Sequence, residues 1–175
     1  NGADFCKFQT WSVNNLKSGK WDDDGRRQIY EKAQLSEKDH YKLKSFCKKH
    51  KVKFLTSVFN INDIAFLKKL NSECIKIPSH EIYNIELIKA ALKNFEIVLI
   101  SAGAAKWKEI INITKLRNFK KKAILMHCVS SYPLEKQNIN FPKFYKLRKL
   151  SKKIGYSGHF NGIDDAVIAI SLGAS

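Results

Sequence analysis

The feature that most constrains the fold is the segment from Ala123 to Pro133, with the sequence AILMHCVSSYP. Its first half is a short apolar run typical of a buried strand. From His127 onward it becomes polar, and it ends at a proline, which cannot continue a β-ladder. Strands that are apolar on both faces and polar at their carboxyl ends are typical of parallel α/β sheets and barrels, where ligands bind at those ends. We therefore expect the same layout to recur along the chain.

The layout does recur. Strand-like segments span residues 5–10, 53–59, 74–77, 97–100, 123–127 and 153–156. From residue 53 they lie roughly twenty to thirty residues apart, the length of a βα unit, with helical segments between them. We predict an α/β fold of the TIM (β/α)8-barrel type, here a single partial domain over residues 1–175 with about six βα units. A doubly wound open sheet is the alternative. It would need a glycine-rich phosphate turn after an early strand, and the sequence has none.

Two local patterns refine this prediction. Ser36 and Asp39 have the spacing of a capping box, so a helix is expected to begin there and to run to about Lys49. Residues 11–35 show no clean period and are predicted to form a long functional loop, which Trp11 and other aromatic residues pin to the body. On the first helix, Leu43, Phe46, Cys47 and His50 are expected to share one apolar face, and its histidines to be solvent-facing or satisfied by hydrogen bonds.

Composition excludes several classes. The 175 residues are 44% apolar and 27% charged, as in an ordinary soluble globular domain. No apolar run approaches the roughly 18 residues of a membrane helix, and no secretory leader is visible, so a cytoplasmic protein is expected. The four cysteines are spaced singly, which favours reduced, mostly buried thiols over disulfides or a cysteine metal site.

The net charge of +16 raises the alternative of nucleic-acid binding. The lysine runs recur at the ends of successive predicted helices, where cations complement the helix dipole and stay solvated. No helix-turn-helix or RNA-stacking motif accompanies them. We expect most of this charge to be solvated surface, and nucleic acid to be an unlikely partner.

Polar residues at the predicted strand ends form the candidate site. Two lysines in different strands, Lys7 and Lys76, with hydroxyls around them, suit a small dianionic ligand. Taken singly, serines such as Ser57, Ser101 and Ser157 could simply bond strand backbones. Lys76 is flanked by Ile75 and Ile77, and a lysine that points into a barrel needs an anionic partner.

Six motifs in register, spanning nearly the whole chain, resemble the sialic acid synthase family, which includes N-acetylneuraminate synthase and relatives that make legionaminic, pseudaminic and similar nonulosonic acids. The motifs are GADFCKFQT (2–10), FLTSVF (54–59), KIPSHE (76–81), SAG (101–103), HCVSSYP (127–133) and GYSGH (155–159).

The resemblance implies an enzyme that condenses phosphoenolpyruvate with an N-acetylmannosamine-type sugar and releases phosphate, using a divalent metal, Mn²⁺ or Mg²⁺. It also implies a homodimer for the full-length protein. Glu81 matches a catalytic carboxylate, Gln9 and Tyr132 match positions near the acceptor sugar, and His159 matches one of two metal-binding histidines. The positions that match phosphoenolpyruvate-binding residues are Lys7, Ser57, Lys76, Ser79, Ser130 and Ser157.

The sequence also departs from the family. The first and last barrel strands and the C-terminal antifreeze-like domain are missing, so we expect a fragment that is inactive alone. Within the motifs, glycine replaces a usual aspartate at Gly158, and three further positions differ: His80, Ala102 and Phe160. The alternative function is therefore a degenerate family member, or a fragment, that binds a phosphorylated or anionic sugar ligand without catalysis.

Overall fold

The computed structural model describes residues 2–16 and 18–175. In this part of the chain six parallel strands form one sheet, and each strand pairs with the next in sequence. A doubly wound sheet reverses its strand order at a switch point, and this order does not. The fold is therefore the barrel-type α/β arrangement that the sequence predicts. The strands are β1 (Phe5–Thr10), β2 (Lys53–Val58), β3 (Cys74–Ile77), β4 (Ile97–Ser101), β5 (Ala123–His127) and β6 (Ile154–Tyr156).

Eight α-helices accompany these strands in the described residues: α1 (Arg26–Ala33), α2 (Glu37–Lys49), α3 (Asp63–Lys69), α4 (Ile85–Asn94), α5 (Trp107–Thr114), α6 (Phe119–Lys122), α7 (Phe141–Leu150) and α8 (Asp164–Ser171). The capping box is confirmed, since the Asp39 N–H donates to Ser36 Oγ and the Ser36 N–H donates to the Asp39 carboxylate. The prediction that residues 11–35 form only a loop is wrong, because α1 lies within them. This helix buries no residue, so it leaves no apolar period in the sequence.

The sheet curves. Lys76 Nζ in β3 donates a hydrogen bond of 3.0 Å to Ser157 Oγ, which follows β6. In a flat sheet these strands would be about 14 Å apart, three times the usual strand spacing. A lysine side chain cannot span that distance, so the carboxyl ends of β3 and β6 approach each other across the concave face. This curvature creates the interior on which the site is built.

The two faces of the sheet differ in chemistry. Ile75, Ile77, Val98 and Ile100 are fully buried on the convex face and pack in the core beneath the helices. Alternation along each strand turns their neighbours toward the concave face. Lys76 therefore points inward between Ile75 and Ile77, as the sequence predicts. Helix residues pack on the convex face in the core, and the polar side chains of the strands face the concave one.

Aromatic residues of the segment after β1 contact one another, whereas the prediction was that they pin the segment to the body. The Tyr30 ring lies 5.7 Å from Trp11 and 5.6 Å from Trp21, centroid to centroid. The buried His40 is satisfied, as predicted: its Nδ1 lies 2.8 Å from the Ser36 carbonyl oxygen and its Nε2 2.8 Å from Thr10 Oγ1. The predicted apolar face of α2 is wrong at Phe46, which is 61% exposed.

The prediction that the cysteine thiols are mostly buried is confirmed. The four cysteines are free, and Cys47, Cys74 and Cys128 are buried while Cys6 is exposed. None of the helices in residues 2–16 and 18–175 combines the length and the apolar character needed to cross a bilayer.

Candidate active site

A cavity of about 620 Å³ opens at the carboxyl ends of the strands on the concave face. It brings together nine of the ten site residues named from the sequence, contributed by β1, β2, β3 and the segments that follow β3, β5 and β6. These nine are Lys7, Gln9, Ser57, Lys76, Ser79, Ser130, Tyr132, Ser157 and His159. The recurrence of polar residues at strand ends therefore produces one site.

Strand register explains why three of these side chains are neighbours. Gln9 of β1 pairs with Ser57 of β2, and Ser57 pairs in turn with Lys76 of β3. Residues at the same level of adjacent parallel strands project toward the same face. Gln9, Ser57 and Lys76 consequently form one polar row across the cavity floor.

The two lysines give the cavity a positive potential. Burial lowers the pKa of Lys76, and the charge of Lys7 lowers it further. Partial burial also lowers the pKa of Lys7. No aspartate or glutamate is among the described residues that line the cavity. Two cations that repel each other without a carboxylate to balance them form a site for an anion, because a bound dianion removes the repulsion.

Serine hydroxyl groups line the same cavity as the lysines. Ser79 Oγ lies 3.1 Å from Cys128 Sγ and accepts a hydrogen bond of 3.3 Å from the Gly103 N–H. The Ser101 hydroxyl is buried and has no hydrogen-bond partner among the protein groups of residues 2–16 and 18–175. A buried hydroxyl without a partner is costly, so its presence at the cavity points to a ligand oxygen as its partner.

Gly103 is required by this close packing. A Cβ atom at Gly103 would lie 2.6 Å from both Cys128 Sγ and Ser130 Oγ, and 2.8 Å from Ser79 Oγ. Atoms do not approach so closely without displacement. The glycine of the SAG motif thus lets the polar side chains converge on the cavity.

His159 is oriented as a metal ligand would be. Its Nδ1 lies 2.8 Å from the Val129 carbonyl oxygen, so this nitrogen carries the proton, and Nε2 accepts a hydrogen bond of 3.1 Å from the Tyr132 hydroxyl. A backbone acceptor on one ring nitrogen commonly fixes a histidine whose other nitrogen binds a metal. However, residues 2–16 and 18–175 contain no group of three or more His, Cys, Asp or Glu side chains that could hold a metal ion. The described donor set is therefore insufficient for a metal centre.

Glu81 is the predicted site residue that does not line the cavity. It lies at the end of a short 3₁₀ helix, Ser79–Glu81, and its Oε2 accepts a hydrogen bond of 3.1 Å from Asn84 Nδ2. His127 also faces away from the cavity. It is fully buried, with Nε2 2.9 Å from the Ile139 carbonyl oxygen and the Phe144 ring 6.1 Å from its own. Because successive residues of an extended chain point to opposite faces, Cys128 points toward the cavity.

Comparison with known proteins assigns the chain. The model of the NeuB family matches residues 1–175. The chain belongs to the NeuB family. It is 31% identical over 190 aligned residues to N,N'-diacetyllegionaminic acid synthase of Campylobacter jejuni and 30% identical over 191 to pseudaminic acid synthase of Helicobacter pylori. These alignments cover 99% and 100% of the chain but only 57% and 56% of the relatives.

A solved structure agrees with this assignment. The N-acetylneuraminic acid (sialic acid) synthetase of Leptospira borgpetersenii, crystallised in complex with citrate, superposes with a TM-score of 0.87 at 30% identity. The superposition covers 98% of the chain and 60% of that protein. The chain thus has the fold of a NeuB family member over a little more than half of a relative's length.

Membership of the NeuB family makes the glycine at 158 notable. A Cβ atom there would lie 2.6 Å from Asp165 Oδ2 and 2.7 Å from Tyr156 Cε1. The Tyr156 hydroxyl donates a hydrogen bond of 2.6 Å to that same Oδ2, and Asp165 is 2% exposed. The Tyr156–Asp165 pair therefore fills the space that an aspartate side chain at position 158 would enter.

Sequence analysis did not assign some residues that line the cavity. Ser101 was recognised as a polar residue at a strand end but was given no binding role; it lies at the end of β4 and lines the cavity. Cys128 was predicted only to be a buried thiol, but it directly follows β5 and lines the cavity. Phe59 and His80 carry no pattern that distinguishes them, because they reach the cavity through loop conformation.

Proposed function

We propose that the protein condenses phosphoenolpyruvate with an N-acetylmannosamine-type sugar to give a nonulosonic acid and inorganic phosphate. The observation that carries the proposal is the carboxylate-free cavity with two lysines and five serines among its lining residues. Phosphoenolpyruvate has a phosphate and a carboxylate, so it needs two cations and several donors. The described cavity offers both on one concave surface.

Charge neutralisation is the first role of these residues. Lys7 and Lys76 would bind the two anionic groups, and the hydroxyls of Ser57, Ser101 and Ser157 would donate to their oxygens. Lys76 now donates to Ser157 Oγ, and this contact holds the ammonium group at the cavity centre. Groups fixed in advance stabilise the charge of a transition state without reorganisation.

The proposed reaction balances as follows. The C3 carbon of phosphoenolpyruvate attacks the aldehyde carbon of the open-chain sugar, and the aldehyde oxygen becomes a hydroxyl after protonation. Water adds at C2 of the former phosphoenolpyruvate, and phosphate leaves with cleavage of the C–O bond. Lys7 and Lys76 would stabilise the departing phosphate, whose charge grows in this step.

The acceptor sugar would lie beside the polar row. Gln9 provides an amide donor and acceptor on β1, and the 75% exposed Tyr132 provides a hydroxyl near His159. The roles of Gln9, Tyr132 and Glu81 stay predictions. So does a divalent metal, for which His159 is the one suitably oriented ligand that we assign; no step of the proposed reaction is derived through it.

The test is phosphate release from phosphoenolpyruvate by the whole protein, with Mn²⁺ and N-acetylmannosamine. We expect release that depends on the sugar and is lost in Lys76→Ala and His159→Ala. Lys89→Ala is the matched control, because Lys89 lies on α4 outside the cavity and forms a surface ion pair of 2.8 Å with Glu86. Equal loss in the Lys89 variant, or release that is independent of sugar, would contradict the proposal.

A second candidate function is binding of an anionic sugar ligand without catalysis. Gly158 and the single suitably oriented metal ligand favour it. It predicts that the folded whole protein binds phosphoenolpyruvate through Lys76 but releases no phosphate with any acceptor. Phosphate release with any N-acylated hexosamine would exclude it.

The assembly is part of the proposal. We propose that residues 1–175 bind phosphoenolpyruvate but do not complete the reaction, since they span little more than half of the matched relatives. The homodimer and the cytoplasmic location also stay predictions. Turnover by residues 1–175 alone would contradict the proposal that they do not complete the reaction.

A further inference from the structure

Two of the four cysteines lie on the convex side of the sheet, away from the cavity. Cys6 is exposed on β1, and Cys47 is buried on α2. Lys7, which follows Cys6, lines the cavity, so alternation along the strand turns Cys6 toward the convex side. Neither thiol has a role in the proposed reaction. Their chemistry is therefore independent of that reaction.

A hydrogen bond fixes the position of α2 on β1. Nε2 of the buried His40 on α2 lies 2.8 Å from Oγ1 of Thr10, the last residue of β1. The helix connects β1 to β2, which is parallel to it, so α2 runs antiparallel to β1. Beyond this contact, the carboxyl end of α2 therefore lies over the amino end of β1.

This arrangement brings the two cysteines to the same level. Cys47 comes two helical turns after His40, about 10 Å along α2 and on the same helical face. Cys6 comes before Thr10, about 13 Å along β1 and on the same strand face. Burial raises the pKa of the Cys47 thiol, and the charge of Cys6 and a hydrogen bond with it raise that pKa further. The two thiols are therefore neighbours.

The other two cysteines are placed differently. Alternation from Lys76 turns Cys74 toward the concave face, and Cys128 lines the cavity. Burial raises the pKa of Cys74 to about 12, so this thiol stays protonated near neutral pH. The thiolate is the reactive form of cysteine, and reaction also requires access. Cys6, as the exposed thiol, is therefore the first that an oxidant in solution reaches.

We propose that a peroxide oxidises Cys6 and Cys47 to a disulfide that joins β1 to α2. The Cys6 thiolate attacks one oxygen of hydrogen peroxide, the O–O bond breaks, and Cys6 becomes a sulfenic acid; the proton that Cys6 lost completes the first water. The Cys47 sulfur then attacks the Cys6 sulfur, the S–O bond breaks, and the released hydroxide takes the Cys47 proton to form the second water. Two thiols and one peroxide thus give one disulfide and two waters.

The disulfide would limit oxidative damage to β1. A sulfenic acid without a partner thiol is oxidised further to sulfinic and sulfonic acids, which thiols do not reverse. Capture by Cys47 stops the oxidation at a state that a thiol reductant restores by exchange. Since β1 supplies Lys7 and Gln9 to the cavity, this capture protects a strand of the candidate site.

Peptide mapping tests the proposal. The whole protein is fully reduced, treated with a small excess of hydrogen peroxide, alkylated and digested with trypsin in the absence of reductant. Lysines separate the four cysteines in the sequence, so each lies on its own tryptic peptide. We expect peptide 45–48 to be joined to the peptide that ends at Lys7, and the link to disappear with dithiothreitol. Sulfonic acid at Cys6 without this link, or a disulfide between the Cys6 residues of two molecules, would overturn the proposal.

Variants separate the two steps. Cys47→Ser should lose the link completely and let Cys6 proceed to the sulfinic and sulfonic acids. Cys6→Ser alters an exposed position, so it keeps the test decisive if Cys47→Ser does not fold; in it, the buried Cys47 should stay a free thiol. Cys74→Ala is the matched control, in which the link should form as in the unsubstituted protein. Equal overoxidation of Cys6 with and without the Cys47 thiol would overturn the role of Cys47.

Thermal unfolding provides an independent readout. The disulfide closes a loop of roughly forty residues, so the oxidised protein should melt roughly 5–10 °C above the reduced one. Peroxide should produce no such rise in Cys6→Ser. A lower melting temperature for the oxidised, unsubstituted protein would show that the bond distorts the fold, and it would overturn the inference that α2 and β1 hold the two thiols in position.

Discussion

Replacing Lys76 by methionine should weaken anion binding and stabilise the free protein. Met keeps the length of the side chain and removes its charge. Burial and the repulsion from Lys7 both lower the pKa of Lys76, so the charged form is disfavoured in the folded state. Removing that charge therefore removes the free-energy cost of keeping it in the folded protein. Residues placed for function commonly lower stability in this way.

The magnitude for binding follows from the contact that is lost. A hydrogen bond to a charged partner contributes about 1.5–3 kcal/mol, which corresponds to about 10- to 150-fold in Kd. Lys7 remains in the variant and keeps part of the attraction, so we expect a value near the lower end. The Ser157 hydroxyl also loses its 3.0 Å donor, which adds a small further loss.

Calorimetry with phosphoenolpyruvate measures the Kd, and thermal unfolding without ligand measures stability. We expect weaker binding in Lys76→Met together with a higher melting temperature, and no change in Kd for Lys89→Met. Binding within twofold of the unsubstituted protein would refute the assignment of Lys76 as the central anion ligand. A lower melting temperature would refute the claim that its charge is disfavoured.

Three further predictions concern the same cavity. Gly103→Ala should weaken phosphoenolpyruvate binding at least tenfold while leaving the fold intact, because its Cβ would displace the converging side chains, and calorimetry measures this loss. Gly158→Ala should lower the melting temperature. The double variant Gly158→Ala/Asp165→Ala should lose less in melting temperature than the sum of the losses in the two single variants, as thermal unfolding of all four proteins will show. Phosphoenolpyruvate affinity should fall as pH rises from neutrality toward the lowered pKa values of Lys7 and Lys76, as titrations at several pH values will show.

Each of these predictions has a control. For Gly103→Ala, far-ultraviolet circular dichroism must be unchanged, and undiminished binding would contradict the reasoning. Strict additivity in the Gly158 and Asp165 cycle would show that the two positions do not compete for space. The pH effect has a defined sign, because the pKa of each lysine in the folded protein lies below its ordinary value of 10.5. Between the folded pKa and 10.5, the stability of the ligand-free protein rises with pH. The affinity for phosphoenolpyruvate falls over the same range. Affinity that rises over that range would contradict it.

Much of the fold could be predicted because strand and helix periods were strong. The bounds of β1 and β3 agree with the predicted ones, and β3 ends at Ile77 because Pro78 cannot continue the strand. The site could be predicted because carboxyl ends of parallel strands converge, which is a property of the topology. Lys76 was identified by its place in a strand between two isoleucines and by its match to a family motif.

The predictions that were wrong or absent have physical causes too. Helix α1 buries no side chain, and its Ile29 is 62% exposed, so hydrophobic periodicity carries no information there. The orientation of Glu81 depends on a 3₁₀ turn and on Asn84, neither of which spacing can reveal. His127 begins the polar run in the sequence, but its side chain lies on the convex face of β5. The sequence pattern alone does not show which face His127 occupies.

The contact between Lys76 and Ser157 joins residues 81 positions apart. The proposed ligand would therefore contact units from β1 to β6, although each described strand pairs only with its neighbours in sequence. A bound dianion would tie the first unit to the last and oppose local opening of any unit between them. Amide hydrogen exchange should then slow together across β1, β3 and β6 on ligand addition, so that a chain assembled from separable repeats opens as one cooperative body.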